Sequence, residues 1–228
     1  MMHQLIDKKK YLLYLSIFFL LSTINSQSLI NLKLFKIKDI EVLEDKSNIN
    51  NSVKEIIEDN LTIFKNQNIF LLDKNQIVKK ISDNNWISNF SIQKKYPSKL
   101  IVNLKKTEPI AKIIVDNEIF YVGSNFKLIK SKIQFNDLPN IFGKPKINEF
   151  KKLITNLNLS SLSYKDISDI YYLKSGRWNL KIQDDVIIKL PRDNILESLN
   201  LVKKILDNKN IISKNTIDLT IKNQIIVD

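Results

Sequence analysis

Side chains able to do acid–base, nucleophilic or metal chemistry are scarce in this chain of 228 residues. There is no cysteine, which removes thiolate nucleophiles, thiolate metal sites and disulfides. The single histidine, His3, stands in the N-terminal tail, so a folded part gains neither a Ser-His-Asp triad nor a histidine metal cage. Two carboxylate pairs remain, Asp116-x-Glu118 and Asp184-Asp185, spaced like the paired acids of glycoside hydrolysis. Both fall between strand-like runs, where aspartate is favoured because it hydrogen-bonds nearby backbone, so solvated hairpin turns are the expected reading. The three glycines, Gly123, Gly143 and Gly176, are too widely separated to form a phosphate loop. No catalytic residue, metal site, cofactor site or small-molecule substrate is therefore expected.

Charge is the next possible handle. The chain carries 36 Lys and Arg against 24 Asp and Glu, a net +12. The positive residues are nearly all lysines dispersed along the chain, with Arg only at Arg177 and Arg192. Nucleic-acid binders concentrate Arg, or basic runs interleaved with aromatics, and no such cluster is visible. Arg177 could meet a partner carboxylate in a charge-assisted pair, or could serve the fold beside Trp178.

Lys8-Lys9-Lys10 precedes the apolar run Tyr11 to Leu21, and the following Ser22 to Ser28 is more polar before Leu29-Ile30. This fits a cleavable signal peptide with a small-x-small site at Ser26-Gln27-Ser28. It fits equally a membrane-spanning helix from Tyr11 to Ile30, since about 20 residues at 1.5 Å each cross roughly 30 Å of hydrocarbon. On either reading the lysines keep residues 1–10 inside and send the bulk of the chain outward.

Behind this segment the periodicities switch between two and 3.6. Phe35 to Val42 has Ile37, Ile40 and Val42 as the apolar positions of a short strand. Ser52-Val-Lys-Glu55 is a capping-box pattern opening a helix with Val53, Ile56, Ile57 and Leu61 inward. Asp73-Lys-Asn-Gln76 opens a second, with Ile77, Val78 and Ile81 buried and Trp86-Ile87 closing the core. Phe90 to Lys95, the turn Tyr96-Pro97-Ser98-Lys99 and Leu100 to Lys105 read as two strands and their connection. The predicted order over residues 35–106 is strand, helix, helix, strand, strand.

From Glu108 onward short strands dominate. Ile110 to Val115, Ile119 to Val122, a run from Asn125-Phe126, Ile167 to Leu173, Arg177 to Gln183 and Val186 to Leu190 are the candidates. Leu138-Pro-Asn-Ile-Phe-Gly143 reads as a turn-rich connector. Phe150, Leu153, Ile154 and Leu157 lie at helical spacing, and the box Asn194-Ile-Leu-Glu197 opens a helix burying Leu196, Leu199, Val202 and Leu206. Thr216 to Leu219 and Gln224 to Val227 end the chain as a strand or hairpin.

The first module, with Asn68-Ile-Phe-Leu-Leu-Asp73, Trp86-Ile87 and Tyr96-Pro97-Ser-Lys-Leu-Ile-Val102 running into Thr107-Glu-Pro-Ile-Ala111, resembles a POTRA domain. Tyr121-Val122, Leu138-Pro139, Gly143, Arg177-Trp-Asn-Leu180, Lys189-Leu-Pro191 and Ile217-Asp-Leu219 then follow in the order of the FtsQ/DivIB family of bacterial cell-division proteins. The resemblance spans nearly the whole chain and implies an α+β protein: one uncleaved N-terminal transmembrane helix, a β-α-α-β-β POTRA domain over 35–106, and a β-rich domain with flanking helices over 107–228. It further implies a non-catalytic divisome scaffold at the septum, a single-pass protein of the cytoplasmic (inner) membrane with its bulk in the periplasm. The implied partners are small bitopic division proteins of the FtsB and FtsL type. In the family the residues after the Asp-Leu pair matter for this contact, which maps to Ile221, Lys222, Asn223, Gln224, Ile225, Ile226 and Val227; Thr220 stands where Arg is usual. Strand addition at that edge is the expected mode, with Arg177 as a separate candidate contact. Competing readings are a POTRA-bearing envelope-assembly or secretion component, a secreted hydrolase released by signal cleavage, and a C-terminal run packed inside the core rather than exposed.

Overall fold

The computed structural model describes residues 8–23, 32–44, 52–182, 185–207, 215–221 and 224–228. Contacts divide the chain into two units, Met1–Lys106 and Thr107–Asp228. Ahead of the first globular part lies helix α1, Lys8–Thr23, apolar on every side after its lysines, with Tyr11 through Leu21 exposed. Its two inner hydroxyls are satisfied within the helix, Ser16 Oγ donating to Leu13 O and Ser22 Oγ to Phe19 O. No helix among the described residues is long and apolar enough to cross a membrane. Of the expected span, Tyr11 to Thr23 lie in α1 and residues 24–30 fall outside the described residues.

The first unit is built on strand β1 (Asp39–Glu44), helices α2 (Ser52–Leu61) and α3 (Lys74–Ser82), and strands β2 (Ile87–Lys95) and β3 (Lys99–Lys106). The sheet order is β1-β3-β2, with β1 parallel and β2 antiparallel to β3. Such a parallel pair needs a long crossover, which α2 and α3 supply. The first strand starts later than its alternation suggests. Residues 35–37 instead bond across to 66–69, Ile37 N–H donating to Gln67 O and Ile69 N–H to Phe35 O, each at 2.9 Å. At the start of α3, Asp73 accepts from Asn75 N–H at 2.9 Å, filling one of the bonds a helix N-terminus lacks.

Val53, Ile57 and Leu61 of α2 and Ile77 and Ile81 of α3 are fully buried over the sheet, joined by Leu100, Val102 and Trp86. Two expected core positions are not: Ile56 is 47% and Val78 38% exposed. The helices are short and bury a stripe only one residue wide per turn, so a neighbour at the stripe's flank faces solvent. At the sheet's end Lys106 Nζ sits 2.9 Å from Glu44 Oε2, with the two side chains 1% and 16% exposed.

The second unit is one mixed sheet with two helices. Its strands are β4 (Pro109–Val115), β5 (Glu118–Gly123), β6 (Leu128–Ile129), β7 (Asn140–Phe142), β8 (Ile167–Tyr172), β9 (Trp178–Ile182), β10 (Ile187–Lys189), β11 (Thr216–Asp218) and β12 (Ile226–Val227). They lie in the order β12-β11-β10-β9-β8-β7-β4-β5-β6. Helix α4 (Ile147–Leu159) makes the crossover between parallel β7 and β8, and α5 (Ile195–Leu206) that between parallel β10 and β11. Phe150, Leu153, Ile154 and Leu157 of α4, with Leu199, Val202 and Ile205 of α5, are buried with Trp178, Leu180 and Ile188 in a common core.

Several local expectations need correction. The segment read as a connector, Leu138 to Gly143, contains β7, an interior strand parallel to both neighbours. The run placed at Asn125-Phe126 starts at Leu128, because Phe126 takes a left-handed φ of 61° inside the tight turn from Gly123 to Lys127. In α5 the core stripe passes through Leu199, Val202 and Ile205, with Ile195 and Leu206 partly buried against it, while Leu196 is half-buried and outside that cluster. Asn194 does precede the helix, but in the left-handed region at φ 59° and without a side-chain capping bond.

Candidate protein-interaction site

Of the two carboxylate pairs, Asp116 lies in a hairpin turn and Glu118 opens β5 beyond it. Asp116 and Asn117 both take positive φ, 51° and 63°, as a two-residue hairpin loop with the right twist requires, and both are exposed. Asp185, also left-handed, pairs with Lys181 Nζ at 2.8 Å on the surface; Asp184 lies outside the described residues. Hydrogen bonding to Lys181 holds the Asp185 carboxyl below its ordinary value. No metal-holding group of acidic residues occurs among the described residues.

The C-terminal end of the sheet is different in kind. Strand β12 is the last in the order and, among the described residues, pairs only with β11, antiparallel. Thr216 and Asp228 exchange both backbone bonds, Asp228 N–H to Thr216 O at 3.0 Å and Thr216 N–H to Asp228 O at 2.9 Å. In an antiparallel ladder such pairs alternate with pairs whose polar groups point away. Ile226 opposite Asp218 therefore faces β11, and Val227 opposite Ile217 turns its N–H and C=O outward, as does Ile225 by the same alternation. This is the row of unsatisfied groups that characterises a free edge. The side chains are not withdrawn from it: Ile225 is 48% and Ile226 45% exposed, and Val227 is half-buried. A C-terminal run packed inside the core, one of the two alternatives open from the sequence, is not what the structure has.

The turn leading into this strand is fastened by Asp218. Its Oδ1 accepts from Thr220 N–H at 2.9 Å and from the Thr220 hydroxyl at 2.6 Å, and its Oδ2 faces Lys189 Nζ at 3.4 Å. Burial disfavours the Asp218 carboxylate, yet the bonds from Thr220 and Lys189 outweigh it and hold the pKa below the usual 3.8. Gln224 N–H donates to Ile221 O at 3.2 Å, closing the turn; Lys222 and Asn223 lie outside the described residues.

Beside the turn runs a groove of about 710 Å³ between it and the first half of α5. It gathers Arg177, Ile221, Gln224 and Ile225, all expected from the sequence, and adds Arg192, Glu197 and Leu201, which were not. Arg177 Nε donates to Ser175 Oγ at 3.2 Å, and the side chain is half-buried. Both arginines of the chain thus line one groove. Their rarity among so many lysines was the available signal for Arg192.

The second unit thus presents, among the described residues, an open terminal strand with a two-signed groove beside it. Residues 35–106 match the family model for a POTRA domain, FtsQ-type, and residues 113–220 that for the cell division protein FtsQ/DivIB, C-terminal. The chain belongs to the FtsQ/DivIB family of cell division proteins. Cell division protein FtsQ of Rickettsia bellii is 23% identical over 197 residues, 85% of this chain and 72% of that protein. Cell division protein DivIB of Clostridium botulinum (strain Hall) is 33% identical over 100 residues, 44% of this chain and 39% of that one. The major extracytoplasmic domain of DivIB from Geobacillus stearothermophilus aligns at 17% identity and a TM-score of 0.32, covering 41% of this chain and 86% of the other.

Proposed function

We propose that this protein is a non-catalytic, membrane-anchored scaffold of the division complex that recruits small single-pass proteins of the FtsB and FtsL type by strand addition at β12. The observation that carries the reading is the free edge: outward backbone groups at Ile225 and Val227, exposed isoleucines, and an adjoining groove with Arg177 and Arg192. A partner strand would gain backbone bonds from the edge and side-chain selectivity from the groove. Family membership supports a division-site role. The composition of α1 supports the anchor: the hydroxyls of Ser16 and Ser22 are bonded internally, as hydrocarbon demands, and its apolar side chains from Tyr11 to Leu21 are exposed. As 16 residues rise only about 24 Å, the span needs residues beyond Thr23, and Tyr11 to Ile30 supplies them. The lysines before it hold the N-terminus in the cytoplasm and the two units in the periplasm.

The test is binding of residues 31–228 to the extracytoplasmic segments of the FtsB-like and FtsL-like proteins of the same cell, with and without Ile225→Pro. The substitution removes an outward N–H without touching a bond to β11, so binding falls while folding is kept. Tight binding by both forms would rule out strand addition at this edge. No binding by either would turn the reading toward an envelope-assembly component.

A further inference from the structure

At the entry to the first unit, side chains that a soluble surface would bury stand in the open. Phe70 stacks on Tyr96 with ring centroids 4.7 Å apart and meets Phe35 edge-on at 5.1 Å. Phe70 is 55%, Leu71 64% and Tyr96 56% exposed, and Leu32 and Leu34 are exposed beside them in sequence. Backbone bonds hold these segments side by side: Ile69 N–H to Phe35 O, and Lys38 N–H to Ser98 O, both at 2.9 Å. The patch is therefore a built platform rather than scattered apolar residues. Exposed Lys33 and Lys95 flank it in sequence; of the acidic groups near it in sequence, Asp39 is engaged with Glu41 by Lys99 at 3.0 and 2.8 Å, and Asp73 is held by the Asn75 N–H at the start of α3.

The geometry points to this platform as a membrane-docking face, seated in the outer interfacial layer of the bilayer that α1 enters. This rests on the anchor reading given above. Chain length supports it: Leu32 follows Ile30, the last residue of the proposed span, by two residues, which reach at most about 7 Å even when extended, so the platform's first residues cannot leave the vicinity of the membrane. Chemistry supports it too. Aromatic rings with leucines and lysines are the composition that settles at headgroup level, the rings and leucines in the acyl boundary and the ammonium groups among anionic lipids. A platform seated there would fix the orientation of the first unit to the membrane instead of leaving it on a free tether.

The full chain, reconstituted in vesicles of phosphatidylethanolamine and phosphatidylglycerol, carries the test, with Leu71→Trp as a reporter. Both native tryptophans, Trp86 and Trp178, are buried out of reach of lipid bromines, so they add a constant unquenched emission that the protein without the reporter measures for subtraction. Flotation with the vesicles is scored first, then quenching by lipids brominated near the headgroup. The inference expects flotation, and quenching of the reporter at least twofold above that of Ile114→Trp, an exposed site of the second unit. It expects that difference to vanish when Phe70→Ser and Tyr96→Ser are added. Failure to float would overturn the anchor reading and this inference with it. Flotation without reporter quenching would overturn the inference alone. A blue-shifted but unquenched reporter would mean that protein covers the platform, which also overturns it.

Discussion

Asp218 is where the stability of the binding edge is most open to measurement. Its carboxylate, at the end of β11, makes two hydrogen bonds with Thr220 on the turn that delivers β12 and faces Lys189 of the neighbouring β10. Asp218→Asn keeps the shape and removes the charge. Charge-assisted hydrogen bonds are roughly twice as strong as neutral ones, and a net bond is worth about 1 kcal/mol, so weakening two of them costs about 1–2 kcal/mol at pH 7. Because the folded pKa is held below 3.8, the carboxylate's contribution is complete above about pH 5 and is lost as pH falls through 3.8 toward the folded value. The wild type then converges on the variant. Urea unfolding followed by Trp178 fluorescence in a Trp86→Phe background reports the second unit, because Trp178 lies in its core. The gap between the two proteins should be about 1–2 kcal/mol at pH 7 and narrow progressively as pH falls below 3.8. A gap that does not change with pH, or none at pH 7, would refute the role given to this side chain.

Three other substitutions probe separate parts of the account. Lys106→Met strips Glu44 of its ion-pair partner in a site where Oε1 is buried without a hydrogen-bond partner among the described residues. The first unit should lose about 3–5 kcal/mol by Trp86-monitored unfolding, most of it recovered by adding Glu44→Leu. Leu153→Ala empties a fully buried position of α4 and should cost the second unit about 2–5 kcal/mol in the same measurement on Trp178. Arg177→Ala should leave stability within about 0.5 kcal/mol, since the side chain is only half-buried. Partner binding in calorimetry should nonetheless weaken by about tenfold or more, the value of one hydrogen bond to a charged group.

The elements legible in the sequence were those whose signal is local. Asp73 announces α3 because a carboxylate before the first helical turn has a specific bond to make, and the structure shows it made. The α4 stripe from Phe150 to Leu157 was legible because four apolar residues at helical spacing leave one packing solution. Strand β7 was not legible. It has one buried side chain, Ile141, between Pro139 and Gly143, and it is a strand only because β4 and β8 flank it. The α5 stripe was legible at Leu199 and Val202 but not at its ends, because Ile195-Leu196 and Ile205-Leu206 each offer two apolar residues in succession, and only tertiary packing chooses between them. At the candidate site, exposure at Ile225 and Ile226 follows from sheet order, which alternation cannot reveal. Arg192 joins Arg177 only because the turn after β10 folds back beside the turn before β9.

Amide hydrogen exchange on β12, measured by NMR on residues 31–228 with and without the extracytoplasmic segment of the FtsB-like partner, tests the central claim most directly. Ile226 N–H already faces β11 and should change little. The amides of Ile225 and Val227 should each gain about tenfold or more in protection, giving an alternating pattern that only an added strand produces. Partner binding that leaves Ile225 and Val227 exchanging as before, with protection appearing elsewhere on the sheet, would contradict the account.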